Sequence, residues 1–217
     1  MNLLRAMLAS IALILTGCVE TRFESLPGSD VARCDARWVG NWRMVSAKDK
    51  DKDEGDNGVF IAISEGCERV RVFERGKEDD KIRVALHFAR VGKHSVLAAQ
   101  IDEESPSDSK PASEWDTGYY YFLYDANPRR IALRAVDDEH VATRLIDGSL
   151  RGRTEMVSQR PGSRKPSQGR SLYNFVAGDA QTMVQAVQLR GMFLRSSDLS
   201  LIRVESIPGL QRETGTQ

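Results

Sequence analysis

The sequence predicts an α+β fold, mainly an antiparallel curved or barrel-like sheet with two short helices in the C-terminal half. Three observations carry that expectation. From Cys34 to about Asp137, short runs alternate apolar and polar residues, the period of a half-buried strand. Those runs follow one another too closely for crossover helices, which favours a meander. Two later segments place apolar residues at helical spacing and stop at glycines.

Val59, Ile61 and Ile63 form the first alternating face, and Val70 and Val72 the next. Ile82, Val84, Leu86 and Phe88 alternate with Arg83, Ala85, His87 and Ala89, and Val96 to Ile101 repeats the pattern more weakly. Tyr119 to Tyr124 is apolar or aromatic on both faces, as in a central strand. Turn residues Asp125 to Pro128 then precede Ile131, Leu133 and Ala135. Asp138 is positioned to cap a helix with Val141, Ala142, Leu145 and Ile146 on one side, ending at Gly148. The segment Asp179 to Arg190 carries the stripe Ala180, Met183, Val184 and Val187, and Gly191 stops it. This stripe is expected to cover an open side or end of the sheet. Leu199 to Val204 should return to the sheet as a strand.

Between these elements, Asp102 to Trp115 is acidic and rich in Ser and Pro, and Gln159 to Arg170 is basic and rich in Pro and Gly. Both read as solvated loops. The run Lys48 to Asn57 alternates in sign. It fails as a calcium loop, because a register from Asp53 puts Gly55 third and Ser64 at the twelfth place, where a bidentate Glu is needed. Across 217 residues, 31 Lys and Arg balance 31 Asp and Glu. That balance removes the electrostatic footprint of a nucleic-acid binder.

The first eighteen residues, MNLLRAMLASIALILTGC, place one charge, Arg5, before an apolar run from Ala6 to Leu15. The run is shorter than the roughly 20 residues a bilayer span needs and fits a secretory signal. Its ending, Leu15-Thr16-Gly17-Cys18, resembles the lipobox of bacterial lipoproteins. The Cys18 thiol accepts a diacylglyceryl group there, and the small Gly17 admits the peptidase. The resemblance implies cleavage before Cys18, lipid on its sulfur and new amine, and a mature chain of 200 residues with 30 basic and 31 acidic side chains. Two or more acyl chains anchor essentially permanently, at about 0.8 kcal/mol per buried methylene. In the Gram-negative sorting scheme of such lipoproteins, an Asp after the cysteine retains the protein in the inner membrane. Val19 stands there instead, which implies the outer membrane and a periplasmic face.

The expected organisation is a signal peptide over 1–17, a lipidated tether over 18–33, a single β-rich domain over 34–207 and a flexible tail over 208–217. Pro27 and Gly28 interrupt the tether, which shows little periodicity. Cys34 and Cys67 form an even pair in an exported domain, and a disulfide is expected.

Gly40 and Trp42 form a Gly-x-Trp that resembles the signature on the first strand of lipocalin-like barrels. There the indole plugs the closed end and an arginine from near the last strand stacks over it, for which Arg203 is the counterpart. The resemblance implies an eight-stranded meander, from which two interposed helices depart. On the residues alone, Trp42 reads as ordinary core.

His87, His94 and His140 lack any local ligand spacing, so no metal site is expected. No motif for hydrolytic, nucleotide or phosphate chemistry occurs. Tyr119 to Tyr124 reads as sheet interior rather than a carbohydrate or lipid site, and Arg129, Arg130 and Arg134 as a salt-bridged surface. The sequence therefore predicts a non-catalytic lipoprotein without a cofactor, held to the membrane through Cys18 and acting through an envelope protein partner or in envelope maintenance. A lipocalin-like module for a small apolar ligand or lipid is the alternative.

Overall fold

The computed structural model describes residues 19–46, 58–74, 77–79, 82–103, 118–157, 171–197, 199–208 and 210. Its chain order is β1 (Val19–Phe23), β2 (Val31–Ala32), a 3-10 turn (Ala36–Trp38), β3 (Gly40–Ser46), β4 (Val59–Ile63), a second 3-10 turn (Glu65–Cys67), β5 (Val70–Glu74) and β6 (Lys77–Glu78). It continues with β7 (Ile82–Val91), β8 (His94–Glu103), β9 (Tyr120–Asn127), β10 (Arg130–Ala135), α1 (Asp138–Ile146), β11 (Gly152–Val157), β12 (Ser171–Val176), α2 (Ala180–Gln188) and β13 (Leu199–Arg203).

Ten strands form one antiparallel sheet in the order β2-β7-β8-β9-β10-β13-β3-β4-β5-β6. Consecutive strands are neighbours except that β2 pairs with β7 at one edge and β13 inserts between β10 and β3, pairing Arg203 with Trp42 and Leu199 with Ser46. The sheet curls strongly, which brings Val72 of β5 against Ile82 of β7. It is not closed into a barrel, since no ladder joins β6 to β7 among the described residues.

The curl has an inside and an outside, and alternation sorts residues between them. Trp42, Leu86, Phe88, Leu97, Ile131 and Leu201 are buried together on the inner face. The outer face of β7, β8 and β9 carries a second core, where Val91, Val96, Tyr121 and Leu123 meet α1, α2 and Phe23 of β1. β9 is thus covered on both faces, as its unbroken apolar run predicts. A third, smaller cluster packs Ile207 on Phe60 and Phe73.

The segment 18–33, expected to be a tether, is folded from Val19 onward. Val19, Thr21 and Phe23 alternate with Glu20 and Arg22, and β1 uses that period to pair in parallel with β12, Val19 opposite Leu172 and Phe23 opposite Val176. Phe23 is fully buried and stacks on Tyr121 at 4.0 Å between ring centres. A five-residue alternation next to Pro27 and Gly28 is too short to stand out in sequence. Residues ahead of Cys34 are accordingly part of the fold. The end of the domain also moves, because Leu210 of the expected tail packs with Ile207 and donates its N–H to that residue's carbonyl.

A second sheet, β1-β12-β11, was not foreseen. Its β11 opens at Gly152, whose φ of +141° and contact with the Phe175 carbonyl leave no room for a Cβ. The two helices lie where expected, with the cap of the first displaced by one residue. Asp137, rather than Asp138, accepts from His140 N–H at the start of α1, and Asp179 accepts from Thr182 N–H at the start of α2. The buried stripe of α2 is Met183, Ala186 and Val187, while Val184 is only partly covered and Ala180 likewise. Asp102 and Glu103 extend β8, and the rest of the acidic segment lies outside the described residues, as do Lys48 to Asn57 and Gln159 to Arg170.

Candidate functional site

Two constellations of polar and aromatic side chains stand out, one on β1 and one at the end of the curled sheet where β3 begins. Cys18 itself lies outside the described residues; the strand that follows it does not. Because side chains opposite one another in a ladder share a face, Thr21, Asn174 and Thr154 form a polar row across β1, β12 and β11. The row is closed by hydrogen bonds. Thr154 Oγ1 donates to Asn174 Oδ1 at 2.7 Å, and Asn174 Nδ2 donates to Thr21 Oγ1 at 3.1 Å and to the Asp138 carbonyl at 2.9 Å. Asn174 is fully buried, so these partners are what make its burial tolerable.

The Asp138 carboxyl, in the first turn of α1, is withdrawn from water over this row. Burial pushes its pKa up to about 7; Thr21 bonds to it and pulls the other way, while Glu20 and Asp137 add repulsion. On the opposite face of β1, Arg22 Nε donates to Glu20 at 2.9 Å and Arg22 Nη2 donates to the Tyr120 hydroxyl at 2.6 Å. Burial works against the Arg22 charge, but Tyr120 and Glu20 outweigh it and hold its pKa above the ordinary value. β1 is therefore fastened to β9, β12 and α1 by polar side chains as well as by Phe23. The row and the Arg22 contacts together act as a clamp on β1.

The second constellation surrounds Trp42, which is fully buried and donates Nε1–H to the Trp38 carbonyl at 2.7 Å. Arg203 lies over its ring, Cζ 4.2 Å from the centroid. The guanidinium donates to the carbonyls of Pro128 (2.6 Å), Val39 (3.0 Å) and Arg37 (3.2 Å). Gly40 has φ of +127°, and a Cβ there would fall on the guanidinium. A left-handed φ and a missing side chain are both needed, which explains glycine at this place. Beside it, Asp35 accepts from Arg37 and from the Tyr124 hydroxyl at 2.7 Å. Burial alone would raise the Asp35 pKa, but the Arg37 and Tyr124 hydrogen bonds hold it below its ordinary value.

Cys34 and Cys67 are joined by a disulfide, with Cα atoms 5.1 Å apart. The bond ties the chain entering the first 3-10 turn to the turn after β4, so it closes around the β3–β4 hairpin.

The other residues singled out in sequence do not converge. His87 sits edge-on to Tyr119 at 5.8 Å, His94 is at the start of β8, and His140 Nε2 accepts from Arg144 Nε at 3.0 Å. No group of three metal-ligating side chains occurs among the described residues. Arg130 donates to Ser200 and Arg134 lies 3.9 Å from Asp125, while Arg129 forms part of the turn into β10. The polar row was missed in sequence. Its one available signal was Asn174 inside the apolar run Leu172 to Val176, which marks a buried amide in need of partners.

Comparison with protein-family models, with curated proteins and with solved structures finds no match.

Proposed function

We propose that the protein is a non-catalytic lipoprotein of the bacterial envelope, held in the outer membrane by acyl chains on Cys18 and facing the periplasm, where it works through protein contacts or envelope maintenance. The observation that carries this reading is a coincidence of position. The sequence Leu15-Thr16-Gly17-Cys18 follows Arg5 and an apolar run, and strand β1 starts at Val19, the residue after the cysteine. A Cys34–Cys67 disulfide suits an oxidising compartment. The test is metabolic labelling with palmitate in the native host. Wild type takes up label and migrates as the shortened chain, and Cys18→Ala does neither; equal labelling of both sinks the reading.

The alternative, a lipocalin-like module for an apolar ligand, draws on Gly40, Trp42 and Arg203, whose stacking is what that resemblance expects. It also draws on Trp38 Nε1, a buried donor with no acceptor among the described residues, which a polar atom of an interior ligand would satisfy. Against it, large side chains occupy the inner face around Trp42. Titration of the purified mature domain with a fatty acid, followed by Trp fluorescence, separates the readings: saturable quenching that Trp38→Phe abolishes supports the ligand site, and a flat signal removes it.

A further inference from the structure

We propose that the end of the small sheet formed by Val19, Leu172 and Met156 is a membrane-docking face, and that the domain sits on the bilayer in one orientation. The inference rests on the anchoring of Cys18 proposed above and goes beyond it by specifying how the domain meets the lipid.

Anchored domains usually hang on a flexible linker, whose length lets them turn freely. Here none remains. Val19 is already in register opposite Leu172, so the acylated residue is one Cα step, about 3.8 Å, from a laddered strand. Leu172 in turn pairs with Met156 of β11. The row Val19–Leu172–Met156 therefore runs across the sheet at the Cys18 end, with neighbouring strands about 4.8 Å apart. Met156 lies about 10 Å to the side of the anchor, within reach of the same interface.

Met156 is also one of two large apolar side chains left exposed among the described residues, at 63%; the other is Ile146, at 74%. They mark opposite ends of the sheet. Ile146 follows Leu145, which reaches Gly152, and Gly152 pairs with Val176 at the end away from Cys18. A single acylated residue would leave the domain free to pivot. A second apolar contact beside it removes that freedom, and Met156 is placed to make it. The occupant is thus the lipid surface in which the Cys18 chains are inserted.

The experiment uses the full lipidated protein in phosphatidylethanolamine–phosphatidylglycerol vesicles carrying a headgroup-located nitroxide quencher. A fluorophore is attached at Met156→Cys or, at the other end of β11, at Arg151→Cys. The two sites are about 17 Å apart along the strand. Both positions are exposed, and the native cysteines are acylated or disulfide-bonded. Quenching several-fold stronger at 156 than at 151 is expected. A ten-residue Gly-Ser insertion between Cys18 and Val19 should bring the ratio close to one while flotation with vesicles persists. Vesicle-bound protein with equal quenching at both sites, or stronger quenching at 151, overturns the docking face while leaving the anchor standing. Failure to float overturns the anchor and the orientation with it.

Discussion

Arg203 rests on Trp42 as its ladder partner: the two residues are paired across β13 and β3, and the guanidinium folds back over the indole of the residue opposite. β13 is thereby locked to β3 at their common end, and the carbonyls of Arg37, Val39 and Pro128 are drawn onto one cation. Replacing Arg203 by Ala should lower stability by about 1–3 kcal/mol, from lost charge-assisted hydrogen bonds and the ring contact. Arg203→Lys should recover only part of it, because an ammonium cannot present the planar fork. Chemical denaturation of the three proteins checks the order.

Gly40→Val attacks the same contact from the other side. It forces a β-branched residue to a φ of +127° and fills the space of the guanidinium. A cost of about 3 kcal/mol or more is expected, larger than that of Arg203→Ala. If the two variants melt alike, the strain at Gly40 is unimportant.

On α2, Met183 is fully buried whereas Gln185 is exposed. Met183→Ala should cost about 2–4 kcal/mol and Gln185→Asp no more than about 0.5 kcal/mol. Val184, half-covered against Gly28, should fall between them. Thermal melting of the three variants tests the face assignment.

Reduction of Cys34–Cys67 releases a loop closed across a sequence separation of 33. On the chain-entropy model this removes about 3–4 kcal/mol. The Cys34→Ser/Cys67→Ser double variant should show that loss in denaturant, and reductant should have no further effect on it.

Asp138 makes stability depend on pH. Its carboxyl keeps a proton up to about 7 in the folded chain, against 3.8 ordinarily. A raised carboxyl pKa contributes stability that is fully present below the ordinary value and lost as pH rises through the folded one. Relative to Asp138→Asn, wild type should therefore lose about 1–3 kcal/mol between about pH 4 and about pH 8, with allowance for its partial exposure. Parallel curves for the two proteins would mean the carboxyl is ionised in the folded state throughout.

Much of the large sheet was legible because its strands are long enough for the period of two to repeat. Ile82 to Phe88 shows four inward residues in a row, and Leu199 to Arg203 needs only its alternation and its distance from Gly191. The pairing of Arg203 with Trp42 could be named from a resemblance, but the sheet remains open and the barrel-like reading holds only as curvature. β1 and β11 were invisible for a physical reason: each is a short strand whose partner is brought in by tertiary structure, and Arg153, Glu155 and Met156 stay exposed, so burial leaves no alternating signature. The cap of α1 shifted because Asp137 and Asp138 are chemically equivalent candidates, and only the backbone at Asp137, with φ of −83° and ψ of 90°, decides between them. Only Asn174 hinted at the polar row, since Thr21, Asp138, Thr154 and Asn174 are brought together by pairing of strands remote in sequence.

That remoteness sets an order on how the molecule is made. Thr21 and Asn174 are 153 residues apart, and a chain made from its N-terminus presents β1 long before β12 arrives. Until then β1 has no strand to ladder with, while the β3–β4 hairpin and the β7–β8–β9 meander can form from contacts near in sequence. The ladder on β1 therefore waits for one of the last strands to arrive. A chain interrupted before Ser171 would keep the β3–β4–β5 and β7–β8–β9–β10 ladders but lack both the β12 that seats β1 and the β13 that joins those two halves of the large sheet.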